Sequence, residues 1–173
     1  MGTSAVHFGR LATAKILLVD DSSTTRNIVR RMLRQLGVQT IHEANSANSG
    51  LETLRSVAPD VVILDWEMPD LSGGQFLRTV RSPDSFPYPE TPIIVVSGHS
   101  EEKVVTEAFC AGVNEYLIKP ISPHSLGARL TEVLLHPRKM VRIGAYYGPE
   151  PRRTAALLQP QAVEPSTSSR WLV

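Results

Sequence analysis

Cysteine is nearly absent from this chain of 173 residues, which has one, Cys110. An intramolecular disulfide is therefore impossible, and a reduced, cytoplasmic setting fits. Long apolar runs are missing as well, since none exceeds five residues, whereas a membrane-spanning helix needs ~20. The N-terminal residues also lack the continuous apolar stretch of a signal peptide. We therefore expect a soluble cytoplasmic protein that does not span a membrane.

Charge is nearly balanced overall but unevenly distributed along the chain. Residues 1–135 hold 12 Lys/Arg and 15 Asp/Glu, whereas residues 136–173 hold 6 and 2, together with five of the 13 prolines. This distribution predicts a globular body over 14–135 and a flexible N-terminal segment over 1–13. The remainder, 136–173, is predicted to be a Pro-rich, basic C-terminal tail that is extended or disordered.

The tail has a second interpretation, as a docking arm. The stretch RIGAYYGPEPRR places Tyr146 and Tyr147 beside a turn and a basic pair, which suits an acidic or aromatic-lined surface. The tail is short for a DNA-binding output domain, and nothing in it resembles a recognition helix. Direct DNA binding is therefore not expected.

Between residues 15 and 135, two kinds of segment alternate. Short runs rich in Val and Ile predict strands buried on both faces, as in a parallel sheet. The predicted strands are 15–20, 38–44, 59–65, 91–97 and 113–119. Apolar residues at helical spacing predict helices between and after them, over 22–36, 46–56, 73–81, 100–111 and 122–135.

Five strand-then-helix units predict a single α/β domain, because parallel strands require crossover helices. Right-handed crossovers, with helices on both faces of the sheet, leave few topologies. We predict a doubly wound, flavodoxin-like fold with three layers, α/β/α, and a five-stranded parallel sheet of order 2-1-3-4-5.

Polar side chains stand where the predicted strands end. Strand 1 ends in Asp20 and Asp21, strand 3 in Asp65, strand 4 in Ser97 and strand 5 in Lys119. The carboxyl ends of parallel strands meet at one edge of the sheet, where such folds bind ligands. The sequence therefore predicts that three carboxylates, a hydroxyl and an ammonium group converge there.

This combination of groups points to phosphoryl chemistry. Three crowded carboxylates repel one another unless a cation intervenes, and Mg²⁺ is a hard cation that takes oxygen ligands and leaves positions for phosphate. Lys119 supplies a second positive charge, and phosphoryl transfer depends mainly on positioning and charge stabilisation. Asp65, on an interior strand, is the best candidate for a nucleophile that forms an acyl phosphate.

Each of these positions also has a simpler interpretation. The acidic pair could cap helix 22–36, and Ser97 could open a turn. Lys119 could be a solvated loop residue, and Tyr116, in strand 5, could serve packing alone. The coincidence of several polar strand ends favours a metal site for the acidic residues, while Ser97 and Tyr116 each keep both interpretations.

Four motifs, in order, resemble the receiver domain of two-component response regulators: LLVDDSSTTR, ILDWEMPDLSGG, IIVVSGHS and EYLIKP. The resemblance implies that Asp65 accepts a phosphoryl group from a histidine kinase or phosphotransfer protein. It further implies that Asp20 and Asp21 hold Mg²⁺ together with Asp65 and the backbone carbonyl of Glu67. Lys119 would pair with the phosphoryl oxygens, next to a cis peptide bond at Pro120.

The resemblance also implies a switch. Ser97 would reorient toward the new phosphate and let Tyr116 turn inward, which would alter the face made by helix 4, strand 5 and helix 5. An output protein would bind that face, and a homodimer linked to phosphorylation is left open. Glu67 and His99 flank the pocket entrance, and residues at these positions influence the lifetime of the phosphate in this family.

The leading hypothesis is a stand-alone, Mg²⁺-dependent signalling switch that assists its own phosphorylation and dephosphorylation, rather than an enzyme. The alternative is a receiver-shaped adaptor that binds partners without phosphate. A third hypothesis, a metal-dependent phosphatase, would need a second catalytic acid near Asp65. Glu67 lies at a suitable spacing, but a Glu fits that role imperfectly and the chain has no cap domain.

Overall fold

The computed structural model describes residues 9–152 and contains a five-stranded parallel sheet. The strands are β1 (Lys15–Val19), β2 (Thr40–Ala44), β3 (Val61–Asp65), β4 (Ile93–Ser97) and β5 (Glu115–Ile118). Their order is β2-β1-β3-β4-β5, and every neighbouring pair is parallel. The predicted fold class and strand order are confirmed.

The strand register brings the candidate residues to one level at the edge of the sheet. Val19, the last residue of β1, lies opposite Leu64 of β3, and Asp65 lies opposite Val96 of β4. Asp20 follows Val19 directly and therefore reaches the same level as Asp65. All five residues of β3 are buried, as expected of a central strand whose faces are both covered.

Helices connect the strands: α1 (Ser23–Gln35), α2 (Ala47–Val57), α3 (Gly73–Val80), α4 (Glu102–Cys110) and α5 (Pro123–Leu135). All but α4 begin after a serine whose hydroxyl accepts a backbone N–H of the first turn. That bond satisfies a donor that the helix itself leaves without a partner. Within residues 9–152, no helix is long and apolar enough to cross a membrane.

The sheet separates two hydrophobic clusters, which gives the predicted three layers. One cluster contains Leu54, Phe76 and Ala108 from α2, α3 and α4. The other contains Leu33 and Leu126 from α1 and α5. Burial of such side chains from water on both faces of the sheet supplies most of the driving force for this fold.

The start of the described chain differs from the predicted flexible segment over 1–13. Residues 9–13 are helical, and Leu11 is buried in the same cluster as Leu33 and Leu126. Burial of the Leu11 side chain in this cluster holds residues 9–13 against the domain. Residues 1–8 of the predicted segment lie outside the described part.

The chain after α5 also differs from the predicted extended or disordered tail. β6 (Met140–Ile143) and β7 (Tyr146–Pro149) pair as an antiparallel hairpin, called here the C-terminal hairpin. Gly144 has φ 57° in the two-residue connection, a conformation that glycine adopts without strain. This segment is ordered because its two strands pair with each other and because it packs against the loop around Gly112. Residues 153–173 of the predicted tail lie outside the described part.

Candidate functional site

Three carboxylates meet at the carboxyl edge of the sheet. Asp20 and Asp21 follow β1, Asp65 ends the neighbouring strand β3, and one oxygen from each lies within 4.8 Å of the others. Asp20 and Asp65 are buried, whereas Asp21 is exposed. The structure thus brings together the acidic residues that the strand ends predicted to converge.

Ser22, rather than either aspartate, caps α1. The Ser22 hydroxyl accepts the backbone N–H of Thr25, while the Ser22 N–H donates to Oδ1 of Asp20 at 2.8 Å. The simpler interpretation of the acidic pair as helix caps is therefore not what the structure shows. The carboxylates of Asp20 and Asp21 remain directed toward the shared edge with Asp65.

Crowding and burial disturb the protonation of the two buried carboxyl groups. Burial raises the pKa of Asp20 to about 6, and the charge of Asp65 adds to the rise. Burial also raises the pKa of Asp65, against the opposing effect of the hydrogen bond from Lys119. A cluster that resists holding several negative charges is electrostatically suited to a cation.

Lys119 supplies the positive charge at this edge. Its Nζ donates to Oδ1 of Asp65 at 2.9 Å and lies 3.9 Å from Oδ2 of Asp20. The backbone fixes the residue, because the Lys119 N–H donates to the carbonyl of Ser97 at 2.7 Å. The following peptide bond, Lys119–Pro120, is cis, as the resemblance led us to expect.

Ser97 and Tyr116 lie beside this cluster and both contact the loop that follows β4. Ser97 is fully buried, and its hydroxyl accepts the backbone N–H of His99 at 3.0 Å. The Tyr116 hydroxyl donates to the carbonyl of His99 at 3.0 Å. The Tyr116 side chain is half-buried and packs against the hydrophobic cluster that contains Phe76 and Ala108, and burial raises the pKa of its phenol.

An exposed chain of three side chains links the two loops beside the site. The Nε2 atom of His99 contacts the carboxylate of Glu67, and its Nδ1 lies 3.1 Å from Glu101. The hydrogen bond with Glu67 raises the pKa of His99. Glu67 and His99, which were predicted to flank the pocket entrance, are in contact, and Glu101 is a further member of this group that sequence reasoning missed.

Arg26 is a second residue that sequence reasoning missed. Its guanidinium donates to the carbonyl of Asp20 at 2.7 Å and to that of Asp21 at 3.2 Å, and pairs with Glu43 at 3.3 Å. These bonds hold the backbone of the acidic turn and do not involve its carboxylates. The feature of the sequence that could have indicated this role is the position of Arg26 at the start of α1, the helix that follows the acidic pair.

Asp70 tethers the loop that follows β3. Its carboxylate accepts the backbone N–H groups of Ala47 and Asn48 at the start of α2, at 3.1 and 2.9 Å. These bonds lower the pKa of Asp70. Asp70 therefore has a structural role that fixes the loop carrying Glu67, and it takes no place among the three clustered carboxylates.

The chemistry of the edge is that of a site for an anion with a bound cation. Three carboxylates offer oxygen ligands of the kind that divalent cations prefer, and the ammonium group of Lys119 lies next to two of them. Asp65 belongs to both groups of contacts and is held at the end of the buried strand β3. Carboxylates and an ammonium group in this combination are the groups that phosphoryl-transfer chemistry uses.

Comparison with known proteins agrees with this geometry. The family model described as the response regulator receiver domain matches residues 16–131. The chain is 34% identical over 119 residues to the chemotaxis protein CheY-3 of Vibrio cholerae, covering 69% of this chain and 90% of the relative. It is 39% identical over 121 residues to CheY1 of Helicobacter pylori, covering 69% and 96%.

Solved structures show the same similarity. The chemotaxis protein CheY4 of Vibrio cholerae superposes with a TM-score of 0.64 at 30% identity, covering 71% of this chain and all of that one. A response regulator receiver domain protein from Clostridium thermocellum superposes with a TM-score of 0.64 at 30% identity, covering 71% and 95%. The family match and these similarities show that the chain belongs to the family of response regulator receiver domains, the signalling switches of two-component systems.

Proposed function

We propose that this receiver accepts a phosphoryl group on Asp65 in the presence of Mg²⁺ and thereby switches a protein-binding face. The observation that carries the proposal is the contact of Lys119 with Asp65 at 2.9 Å, beside carboxylates that lie within 4.8 Å of one another. Charge of both signs is thus arranged around one potential nucleophile. The phosphoryl donor would be a histidine kinase or a phosphotransfer protein.

The donor set fits Mg²⁺, since all three clustered side chains offer oxygen ligands and one is exposed. Asp20, Asp21 and Asp65 would hold the ion, with the backbone carbonyl of Glu67 as a further oxygen ligand. When bound, the ion would neutralise charge on the carboxylates and on the phosphoryl oxygens. Water can occupy the remaining positions, because the Asp21 side of the cluster faces solvent.

The transfer is a displacement at phosphorus. A carboxylate oxygen of Asp65 forms a bond to phosphorus while the bond from phosphorus to the donor nitrogen breaks. The donor imidazole leaves in its neutral form, because its other ring nitrogen carries a proton. Lys119 stays protonated and donates to the phosphoryl oxygens, where charge accumulates.

The switch would act through Ser97 and Tyr116. A hydroxyl that now accepts from the His99 N–H can turn toward a phosphoryl oxygen on Asp65, and this changes the loop to which Tyr116 is bound. Phosphate then favours one arrangement of the loop by binding it better. The face made by α4, β5 and α5 would carry the signal to an output protein.

That face offers apolar side chains to a partner. Phe109 on α4 is 37% exposed, and Ile118 on β5 is 47% exposed. The relatives from Vibrio cholerae and Helicobacter pylori are chemotaxis proteins by name, which supports a protein partner over DNA. A homodimer linked to phosphorylation would use the same kind of surface, and the protein would work in the cytoplasm.

Glu67 and His99 would set the lifetime of the phosphate. Their side chains contact each other across the two loops that flank Asp65, so they restrict the approach of water from that side. Hydrolysis in place would return the receiver to its starting state. The chain would thus be a signalling switch that assists its own phosphorylation and dephosphorylation.

The test is the intact mass of the protein after incubation with Mg²⁺ and acetyl phosphate. We expect one added phosphoryl group, which is lost in Asp65→Asn and in the presence of EDTA. Equal phosphorylation of Asp65→Asn would contradict the proposal. If no mass is added and a beryllofluoride phosphate mimic also leaves partner binding unchanged, the chain is the phosphate-independent adaptor.

A further inference from the structure

The C-terminal hairpin lies against the loop between α4 and β5 with almost no space between the backbones. A Cβ atom added to Gly148 would lie 2.9 Å from Cα of Gly112, and one added to Gly112 would lie 2.9 Å from the carbonyl oxygen of Tyr147. Gly148 and Pro149 are buried as a result. Contact this close requires glycine at both positions, so the hairpin has a defined seat on the body.

Charge holds the hairpin to the first residue of β5. The Glu115 side chain is 4% exposed, and its carboxylate contacts Arg152 and lies 3.3 Å from Arg129 and 4.0 Å from Arg138. Arg129 belongs to α5, whereas Arg138 and Arg152 flank the hairpin. Burial raises the pKa of Glu115, and the three arginines oppose that rise. A buried carboxylate depends on such partners, so Glu115 and the hairpin stabilise each other.

The residue before Glu115 is held by Arg138 and by two groups in the body of the domain. The carbonyl of Asn114 accepts from Arg138, and its side-chain oxygen accepts from Arg81 and from the backbone N–H of Ile93, at 2.8 and 2.9 Å. Arg81 is itself buried and donates to the carbonyl of Gly112 at 2.9 Å. The segment 112–115 is therefore fixed from several directions before the chain reaches Tyr116.

β5 needs this support because it is an edge strand. Its ladder partner is β4, with Tyr116 opposite Val95, and it has only four residues. Glu115 and Tyr116 are successive residues, so their side chains point to opposite faces of the sheet. A change in the tilt of β5 that releases Glu115 must therefore also move Tyr116 relative to the His99 carbonyl.

We propose that Glu115 is a positioning residue for Tyr116. Through Arg138 and Arg152, the C-terminal hairpin holds the start of β5 where the Tyr116 hydroxyl reaches the carbonyl of His99. The hairpin, which contacts the start of β5, is thus coupled to the switch residues at the carboxyl edge of the sheet. This inference rests on the proposed function for its signalling consequence, while the coupling itself concerns the conformation of Tyr116.

The test uses the full chain labelled with ¹³C-tyrosine, in which four rings are observed by NMR. Tyr116→Phe assigns the Tyr116 signal. We expect Glu115→Gln to move this signal toward that of a solvent-exposed tyrosine, and to weaken the response to Mg²⁺ and beryllofluoride by about fivefold or more. The matched control is Arg142→Gln, because Arg142 lies in the same hairpin but pairs with Asp84.

A second variant guards against misfolding of Glu115→Gln. Arg138→Gln/Arg152→Gln removes both arginines that flank the hairpin and contact Glu115, and it leaves the Arg129–Glu115 pair. An unchanged Tyr116 signal in every folded variant would overturn the coupling and leave the hairpin a structural cover alone. A shift that Arg142→Gln produces equally would also overturn it.

The same samples separate this inference from the proposed function. Phosphorylation of Asp65 is followed by intact mass, whereas the position of Tyr116 is read by NMR without phosphate. If Asp65 takes no phosphoryl group but Glu115→Gln still moves Tyr116, the proposed function fails and the coupling stands. If Asp65 is phosphorylated and Glu115→Gln does not move Tyr116, the coupling fails and the proposed function stands.

Discussion

The ammonium group of Lys119 lies 2.9 Å from Oδ1 of Asp65, at the point where β3 ends and β5 is followed by its loop. This bond joins two residues that are 54 positions apart in the chain. It balances the charge of a buried carboxylate and places a hydrogen-bond donor where phosphoryl oxygens would gather. The proposed chemistry of the site depends on this pair.

Replacing Lys119 with Met should slow the phosphorylation of Asp65 strongly. The variant loses one fixed donor to the developing charge, and loss of such a donor typically costs about 10²–10³ in rate. The measurement is the rate of mass gain with acetyl phosphate and saturating Mg²⁺. Lys103→Met, at an exposed position on α4, is the matched control and should react at the normal rate. Equal rates for both variants would contradict the role given to Lys119.

Replacing Asp20 with Asn should stabilise the protein when metal is removed. The carboxyl pKa rises from 3.8 to about 6 on folding, so its charge opposes folding by up to about 3 kcal/mol. Asn retains an oxygen that can accept the Ser22 N–H. Urea unfolding in EDTA at pH 7.5 should show a higher free energy of unfolding for Asp20→Asn. Added Mg²⁺ should stabilise the wild type more than the variant.

The raised pKa of Asp20 also predicts how the free energy of unfolding depends on pH. A carboxyl group with a raised pKa binds a proton more readily when folded, so the folded state gains stability as the pH falls from about 7 to about 4. Below that range the unfolded chain is protonated too, and the gain is complete. Wild type in EDTA should therefore gain more stability between pH 7.5 and 5 than Asp20→Asn gains. Parallel curves would show that Asp20 is not the titrating group.

Replacing His99 with Ala should shorten the lifetime of the phosphate. The Glu67–His99 contact spans the two loops beside Asp65, and its loss opens a path for water. The measurement is the decay of phosphorylated protein after acetyl phosphate is removed. His42→Ala, at a half-buried position on β2 outside this contact, serves as the control. A lifetime that is unchanged or longer in His99→Ala would show that the pair does not restrict water.

Replacing Gly148 with Ala should destabilise the protein through the seat of the hairpin. The new methyl group would lie 2.5 Å from the Tyr146 hydroxyl oxygen and 2.9 Å from Cα of Gly112, so the hairpin must shift. Overpacking of this kind costs about 1–3 kcal/mol. Gly144→Asn is the control, because no atom lies within 4 Å of that site and Asn tolerates a positive φ. Equal free energies of unfolding for the two variants would contradict the close contact.

The sheet and its polar edge could be predicted because the signals are local. Each buried strand is a short run of Val, Ile and Leu, and the polar residue that follows marks its end. Strand adjacency then follows from topology rules, which place Asp20 beside Asp65. The pairing of Lys119 with Asp65 follows in the same way, since both residues stand at carboxyl ends of parallel strands.

The C-terminal hairpin was missed because its strands are short and its support is not local. Proline content suggested an open tail, although MVRI and YYGP flank a Gly-Ala pair that is typical of a tight turn. The partners of Glu115 could not be predicted, because they come from α5 and from both flanks of the hairpin. From sequence alone, an acidic residue at the start of a strand is expected to be exposed to solvent, because its buried partners cannot be identified.

The most direct test of the central claim is to locate the acyl phosphate on the chain. Borohydride reduces an aspartyl phosphate to homoserine, which peptide mass spectrometry then assigns to a position. After treatment with Mg²⁺ and acetyl phosphate, we predict homoserine at position 65 and unmodified aspartate at positions 20 and 21. Homoserine at Asp20 or Asp21, or at no position in protein that has gained phosphoryl mass, would contradict the account.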